Sequence, residues 1–564
     1  MLNGFDPATI QDDSLRTIVR FLMNQIEDLT VKTQRQAEEI QRLRDENNRL
    51  KGEQGQPTIK PNRPSPTHSS ETERAMPKPH RKCAKQATLR IDRTQTIPVD
   101  RTTLPTDARF KGYQRVIVQD VRLTTDTVCF RKEKFYSPSL RQTFLAPNPP
   151  GYDGQFGPGI KALVLTLAFE SGMSEPIIRR LLTLAGVSIS TGQLSNLVVR
   201  NHDAFHDDRT AILKAGLASS PWQHIDTTVT RVDGVNAHCH VLCNPLYTVY
   251  TTLPQCDRLH VLDGLQGGQP RQFRLDSTSE RLMRLMDLPA RDRRATGALP
   301  RETLLNEWEI DTFLLLHGQQ FKPITKKRMK DSLAIAAYHA QRAPPYARPR
   351  LLIADDAPQW AMLTHELALC WVHDARAYKK LMPRFGQHQQ ELEQFLTRYW
   401  GYYRELLAYR AAPSPSEAVC LRADFKRLFA TETGYAALDA RIGMTAEKER
   451  GLLMVLDHPE IPLHNNPAEL GVRRRVRKRD ISFGPRSQAG IQAWDTFQTL
   501  VATATKVQRN LYAYLYAQIC QDATLPTLAD EIRARAAAHP LGGSWTDGQP
   551  QPDWKPVELS MWHG

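Results

Sequence analysis

The stretch from Trp222 to Thr252 admits few structures other than antiparallel sheet. Trp222 to Thr230 alternates apolar and polar side chains, and Asp233-Gly234 is a tight-hairpin signal. Asn236 to Cys243 returns, and Asn244-Pro245 turns the chain into Leu246 to Thr252. The pattern predicts a three-stranded meander with Asp226 inside its first strand. Aspartate is depleted in strands, so Asp226 calls for a reason of its own.

Two later stretches give that reason. Leu351-Leu352-Ile353-Ala354, bounded by Pro349 and running into Asp355-Asp356, reads as a buried strand with carboxylates at its C-terminal end. A helix through Trp360, Leu363 and Leu367 should follow, then a second buried strand over Leu369-Cys370-Trp371-Val372-His373. At 464–485, Asn466 suits a helix N-cap, Pro467 its first position, and Glu469 the third residue after the cap. The next turns carry Arg473, Arg474, Arg475, Arg477, Lys478 and Arg479. Read alone, Glu469 is an ordinary capping-box residue and the cations a solvated face.

Taken together, the pieces have a ribonuclease-H-like order: three antiparallel strands, a strand ending in Asp, another strand, and later a helix bearing Glu. The fold class expected is α/β. Three carboxylates from separate elements, converging in a basic protein, fit a site where hard oxygen ligands hold two Mg²⁺ ions. Phosphodiester chemistry needs such a site because charge builds on both the attacking and the leaving oxygen.

Composition supports a polyanionic partner. The 564 residues include 75 Lys and Arg against 61 Asp and Glu, a net charge of +14. A chain of that length should divide into several domains. No run of eighteen apolar residues suggests a membrane span, and the N-terminus has no secretory pattern. Eight scattered cysteines without a Cys-x-x-Cys pair suit a reducing compartment.

The remaining segments frame this core. Residues 1–51 read as a coiled-coil helix with a heptad seam through Leu15, Val19, Leu22, Ile26, Leu29, Thr33, Gln36, Ile40, Leu43, Asn47 and Leu50. Its polar break at Thr33 and Gln36 also suits a single amphipathic helix packed on its own chain. Residues 52–82 are a Pro/Ser/Thr-rich linker. Residues 83–150 read as a small β-rich module with runs at Gln114–Val121 and Thr127–Phe130. Residues 151–215 are helical and helix-turn-helix-like, with Ser174 and Ser190 as caps and Gly186 between two helices. The core is expected over 216–375, interrupted by an insertion at about 265–348. A helical insertion follows at 376–456, and the core resumes at 457–520 with the Glu469 helix. A long helix is expected there from Gly490 to about Cys520, and 521–564 form a tail.

These residues resemble the insertion sequence 66 family of DDE transposases. The resemblance rests on Asp226-Thr227-Thr228, Asp355 with Trp360, Cys370-Trp371-Val372-His373 with Arg376, and Asn465-Asn466-Pro467-Ala468-Glu469. Arg473 and Lys478-Arg479-Asp480-Ile481-Ser482-Phe483 complete it. It covers roughly 220–510, and the order of segments upstream also matches. The departures mark a divergent member. Thr227 stands where the family usually has Glu, Asp356 where it has Gly, and Leu470 where it has Arg. Only Cys83 and Cys129 remain where a zinc-binding module is usual, so zinc is not expected.

The resemblance implies Mg²⁺-dependent cleavage and strand transfer at insertion-sequence ends, with Mn²⁺ able to substitute. Asp226, Asp355 and Glu469 would be both catalytic residues and metal ligands. Arg473, Arg474, Arg475, Arg477, Lys478, Arg479 and Arg376 would grip phosphates, and Asp356, Cys370, His373, Asn465 and Asn466 would support the site. Asp355 and Asp356 compete as ligand, with the step to Trp360 favouring Asp355. His238, Cys239, His240 and Cys243 alternate along a strand and read as core and surface rather than metal ligands. The expected partners are terminal-repeat and target DNA, a second copy through residues 12–51, and accessory proteins of the same element. No membrane is expected; the location would be the bacterial cytoplasm, at the nucleoid. Two other readings stay open: a non-catalytic DNA-binding regulator derived from such an enzyme, and a structure-specific nuclease of the same fold.

Overall fold

The meander forms as its alternation requires, and it nucleates the sheet that positions everything else. The computed structural model describes residues 7–50, 91–105, 107–121, 124–317, 321–341 and 343–545. A long helix, α1 (Asp13–Leu50), and a two-stranded hairpin, β1 (Lys134–Ser137) and β2 (Gln142–Leu145), come first. Four helices follow: α2 (Pro158–Phe169), α3 (Glu175–Leu184), α4 (Thr191–Val199) and α5 (Asp203–Ala218). Next come β3 (Trp222–Val232), β4 (Val235–Asn244) and β5 (Tyr247–Leu253). The insertion holds α6 (Arg258–Leu265), α7 (Ser277–Leu285), α8 (Ala290–Ala295), α9 (Glu307–His317) and α10 (Pro323–Ala340), with the short pair β6 (Phe273–Arg274) and β7 (Leu304–Leu305).

The sheet resumes with β8 (Leu351–Ala354) and β9 (Glu366–Leu369). Helices α11 (Trp371–Tyr378), α12 (Gly386–Ala411), α13 (Pro415–Phe429), α14 (Ala436–Ala446) and α15 (Glu449–Leu452) come next. The chain then builds α16 (Asn466–Ser482), α17 (Gln488–Lys506), α18 (Leu511–Ile519) and α19 (Leu528–Ala538).

The five-stranded mixed sheet runs β5-β4-β3-β8-β9, antiparallel through β5, β4 and β3 and parallel from β3 to β8 to β9. Asp233 (φ 48°) and Gly234 (φ 80°) make the β3–β4 turn with the two positive φ angles of a type I′ hairpin. Strand β8 is apolar throughout because both its faces are covered. Leu352 and Ala354 join a core built with α2–α7, α9, α10 and α17–α19, whereas Leu351 and Ile353 join a second core with α11–α15. Burial of one such side chain stabilises by about 1.5–3 kcal/mol. The β3–β8 register sets Trp222 beside Leu351 and His224 beside Ile353. Carried two residues further, it brings Asp226 and Asp355 to adjacent chains on one face.

Several expectations need correction. Gln114–Val121 and Thr127–Phe130 form no strand; Val116, Val118 and Val121 are exposed, since no neighbouring strand or core takes up their alternation. Among the described residues, only β1 and β2 represent the β-rich module. No α-helix runs from Trp360 to Leu367: a 3₁₀ turn (Pro358–Trp360) and Met362 at φ 69° lead directly into β9. Residues 370–373 are not strand. Sheet pairing ends at Leu369, and Cys370 is the N-cap of α11. The expected helix from Gly490 to Cys520 is two helices, broken where Gln508 takes φ 55° and Asn510 caps α18 by accepting from Ala513 N–H at 2.9 Å. The linker at 52–82 lies outside the described residues, as does the end of the tail from 546 onward.

Upstream, Ser174 stands at the N-cap of α3 without a side-chain capping bond. Ser190 and Gln193 form a reciprocal capping box on α4, and Gly186 (φ 87°) follows α3.

Candidate active site

Asp226, Asp355 and Glu469 line one open cavity of about 340 Å³, together with His373, Arg376, Asn465, Val472, Arg473 and Val476. Each acid reaches it from a different element. Asp226 projects from the middle of β3, where its Oδ1 accepts from the Thr227 N–H at 2.7 Å. Asp355 follows the last residue of β8. Its Oδ1 accepts from Trp360 Nε1–H at 2.5 Å and from the Ala357 N–H at 3.2 Å, which fixes the carboxylate. Asp356 turns away into an ion pair with Lys448. Of the competing pair, Asp355 therefore lines the cavity.

Glu469 stands on the first turn of α16, and a glycine sets how closely that helix approaches the sheet. A Cβ on Gly471 would lie 2.6 Å from Val241 Cγ1 on β4. Glycine inside a helix costs roughly 1 kcal/mol relative to alanine, and here it permits the close approach. Tyr250 Oη–H donates to the Gly471 carbonyl at 3.1 Å across the same contact.

Asn465, not Asn466, is the N-cap of α16, and its side chain makes no capping bond. It ties three elements together instead. Its Nδ2 donates to the Ile225 carbonyl at 2.8 Å, one residue before Asp226. Its Oδ1 meets His224 Nδ1 at 2.9 Å, and its N–H donates to Cys370 Sγ at 3.2 Å. An amide oxygen only accepts, so His224 Nδ1 carries the hydrogen. Burial lowers His224 to about 3 and keeps it neutral. Asn466 is buried, and its N–H donates to His464 Nδ1 at 3.4 Å. The expected capping box at Glu469 is absent, because that side chain faces the cavity.

Cys370 and His373 lie at the N-terminal end of α11 rather than on the expected strand. Cys370 is buried against Asn465. His373 Nε2 stands 3.9 Å from Asp355 Oδ2. Arg376 Nη2 donates to Glu469 Oε2 at 2.7 Å.

Burial, then the negative charges of Asp355 and Glu469, push Asp226 up to about 7. Glu469 Oε1 is buried without a hydrogen-bond partner. Among the described residues, no three His, Cys, Asp or Glu side chains converge closely enough to hold a single metal ion as they stand. The three acids still suit hard divalent cations: their donors are all oxygen, and one buried oxygen is orphaned.

The cationic run divides by helical phase. Arg475 and Lys478 fall on the buried face with Gly471, and this corrects their assignment to DNA. Arg475 pairs with buried Asp495 and donates to Cys239 Sγ at 3.0 Å and Thr252 Oγ1 at 2.7 Å. Its guanidinium also lies 5.5 Å from the Trp494 ring centroid. Lys478 sits over the Phe169 and Trp494 rings at 5.4 and 5.6 Å, and burial lowers it to about 8. Arg473 and Arg477 are exposed; Arg474 and Arg479 are half-buried, the latter donating to the Val229 carbonyl at 2.6 Å.

His224, Val472 and Val476 escaped the sequence reading. His224 lies two residues before Asp226 on the same strand face, and the two valines follow Glu469 at helical spacing. Those spacings were the available signals. Asp495, far along the chain, carried none.

A mixed sheet with an acid-lined cavity between β3, the end of β8 and a cation-rich helix defines the class of site. Residues 351–493 match the family model Transposase IS66 family, a stretch that includes Asp355 and Glu469 but not Asp226. That stretch is thus similar to a transposase domain of that family. An uncharacterized protein, y4jO, of Sinorhizobium fredii (strain NBRC 101917 / NGR234) is 28% identical over 326 residues, covering 58% of this chain and 100% of its own length. No solved structure matches the chain.

Proposed function

We propose that this protein is a DDE transposase with a ribonuclease-H-like core, cleaving DNA at insertion-sequence ends and joining the 3′-hydroxyls to a target. The observation that carries this reading is that Asp226, Asp355 and Glu469, from three separate elements, line one cavity in a transposase-family chain. The order β5-β4-β3-β8-β9, with its change from antiparallel to parallel at β3, supports the fold assignment.

The three acids would hold two Mg²⁺ ions, or Mn²⁺ in their place. Such ions supply an activated nucleophilic oxygen and offset the charge on the leaving oxygen. Trp360 holds Asp355 in orientation, and Asn465 fixes the start of α16 to the backbone beside Asp226. Arg376 forms an ion pair with Glu469. Exposed Arg473 and Arg477 bind phosphates and position the strand without reading its sequence. Helices α3 and α4 form a second DNA contact.

The proposed form is a homodimer through α1. Met23 and Glu27 of that helix are buried; Glu27 Oε1 accepts the Arg384 N–H at 2.6 Å and lies 3.2 Å from His388 Nδ1. The heptad seam is a different stripe, and Leu15, Leu22, Ile26, Leu29, Ile40 and Leu43 are exposed on it.

The test is Mg²⁺-dependent nicking and joining of DNA carrying the inverted repeats that flank the gene. The wild type should do both, while Asp226→Asn, Asp355→Asn and Glu469→Gln should each abolish both. Retained binding without cleavage in any divalent metal would select the regulatory reading, and cutting without joining would select a nuclease.

A further inference from the structure

At the far end of α16, Phe483 is 83% exposed, more than any other large apolar side chain among the described residues. It also sits at φ 58°, ψ 13°, the left-handed region that bulky side chains avoid and that glycine or asparagine usually fills at a helix end. Single exposed apolar side chains are ordinary. One that is both strained and fully presented is not, because strain persists only where the surroundings impose it.

The surroundings do impose it. The Phe483 N–H donates to the Arg479 carbonyl at 2.7 Å and closes the helix. Gly484 follows at φ 89° and lies so near β3 that a Cβ there would be 2.5 Å from the Arg231 carbonyl oxygen. Asp233 N–H, in the β3–β4 turn, donates to the Pro485 carbonyl at 3.2 Å. Arg479, one turn back, donates to the Val229 carbonyl. The backbone on both sides of Phe483 is therefore fastened to the hairpin, and the ring is held outward. Arg231, Arg477 and Arg486, on the segments that meet here, are all exposed.

A rigid aromatic ring among free guanidinium groups matches an unstacked base flanked by phosphates. We propose that Phe483 is a base-stacking residue that engages a nucleotide unpaired from the DNA strand near the acidic cavity. The inference rests on the DNA-acting function proposed above. At 1.5 Å per residue, Phe483 lies about 20 Å along α16 from Glu469, or roughly six base steps of 3.4 Å. Stacking on any base face is tolerant of sequence, so the contact would recognise an opened strand rather than a particular base.

The experiment titrates the full chain, in EDTA, into forked DNA carrying 2-aminopurine at successive positions around the fork. Wild type and Phe483→Tyr should change the fluorescence at one position. Phe483→Gly should lose that change and bind the fork about 5- to 150-fold more weakly. It should melt no lower than wild type, because glycine accepts the left-handed backbone freely. If Phe483→Gly binds and perturbs the fluorescence as wild type does, or if wild type binds forks without altering any position, the stacking role is overturned. If wild type binds no DNA at all, the functional reading fails and the stacking role fails with it.

Discussion

Replacing Asp226 by asparagine should stabilise the metal-free protein at alkaline pH, the reverse of what deleting a buried hydrogen-bonding group usually does. Asp226 is raised from an ordinary value near 3.8 to about 7 by burial and by the charges of Asp355 and Glu469. A carboxylate raised on folding favours the protonated native state. Its ionisation costs nothing below the ordinary value, costs progressively more as pH rises, and reaches its full cost above about 7. The full shift corresponds to about 4 kcal/mol. Solvent reaching the open cavity discounts this to about 1–2 kcal/mol. An asparagine side chain is neutral throughout and close in shape, so Asp226→Asn escapes that cost. The assay is thermal melting in EDTA at pH 4 and pH 8.5, then with Mg²⁺ at pH 8.5. At pH 8.5 in EDTA the variant should melt higher, by roughly 2–4 °C per kcal/mol in a domain of this size, and the gap should close at pH 4. Mg²⁺ should raise the wild type and leave Asp226→Asn nearly unmoved. A variant no more stable than wild type at pH 8.5, or one stabilised by Mg²⁺ equally, would refute the reasoning.

Further outcomes follow from the same geometry. Gly471→Ala should destabilise by about 1–3 kcal/mol, because its Cβ meets Val241 and lifts α16 from the sheet; melting and cleavage rate should fall together. Arg475→Ala should cost about 3–5 kcal/mol, read from denaturant melts, by leaving Asp495 buried and unpaired. Arg473→Ala should keep its melting temperature but weaken DNA binding and lower its salt slope by about 1. Leu22→Glu with Leu29→Glu should convert a dimer to a monomer in light scattering, and a wild type that is already monomeric would remove the proposed coil.

Much of the sheet was legible because its alternation is strict and its turn chemistry is local. Asp226 was visible because strands exclude acids and Asp355 because it ends an apolar run, whereas Glu469, an ordinary first-turn acid by itself, stood out only through the order of elements and the family resemblance. The errors arose where partners decide. Leu369–His373 has the apolar content of a strand, yet pairing with β8 ends at Leu369 and Cys370 opens a helix. Gln114–Val121 alternates but finds no neighbour. The cations of α16 looked equivalent along the chain. Helical phase and the distant Asp495 put Arg475 inside while Arg473 stayed at the cavity. Asn466 and Glu469 had the spacing of a cap, but Asn465 took the cap position and used its side chain to hold β3.

Whether these three acids jointly hold divalent cations can be read from anomalous diffraction of crystals soaked in Mn²⁺ above about pH 8, where Asp226 is ionised. Mn²⁺ should lie among Asp226, Asp355 and Glu469, with Arg376 released from Glu469. Manganese absent from this cavity, or bound without Asp226, would contradict that joint role.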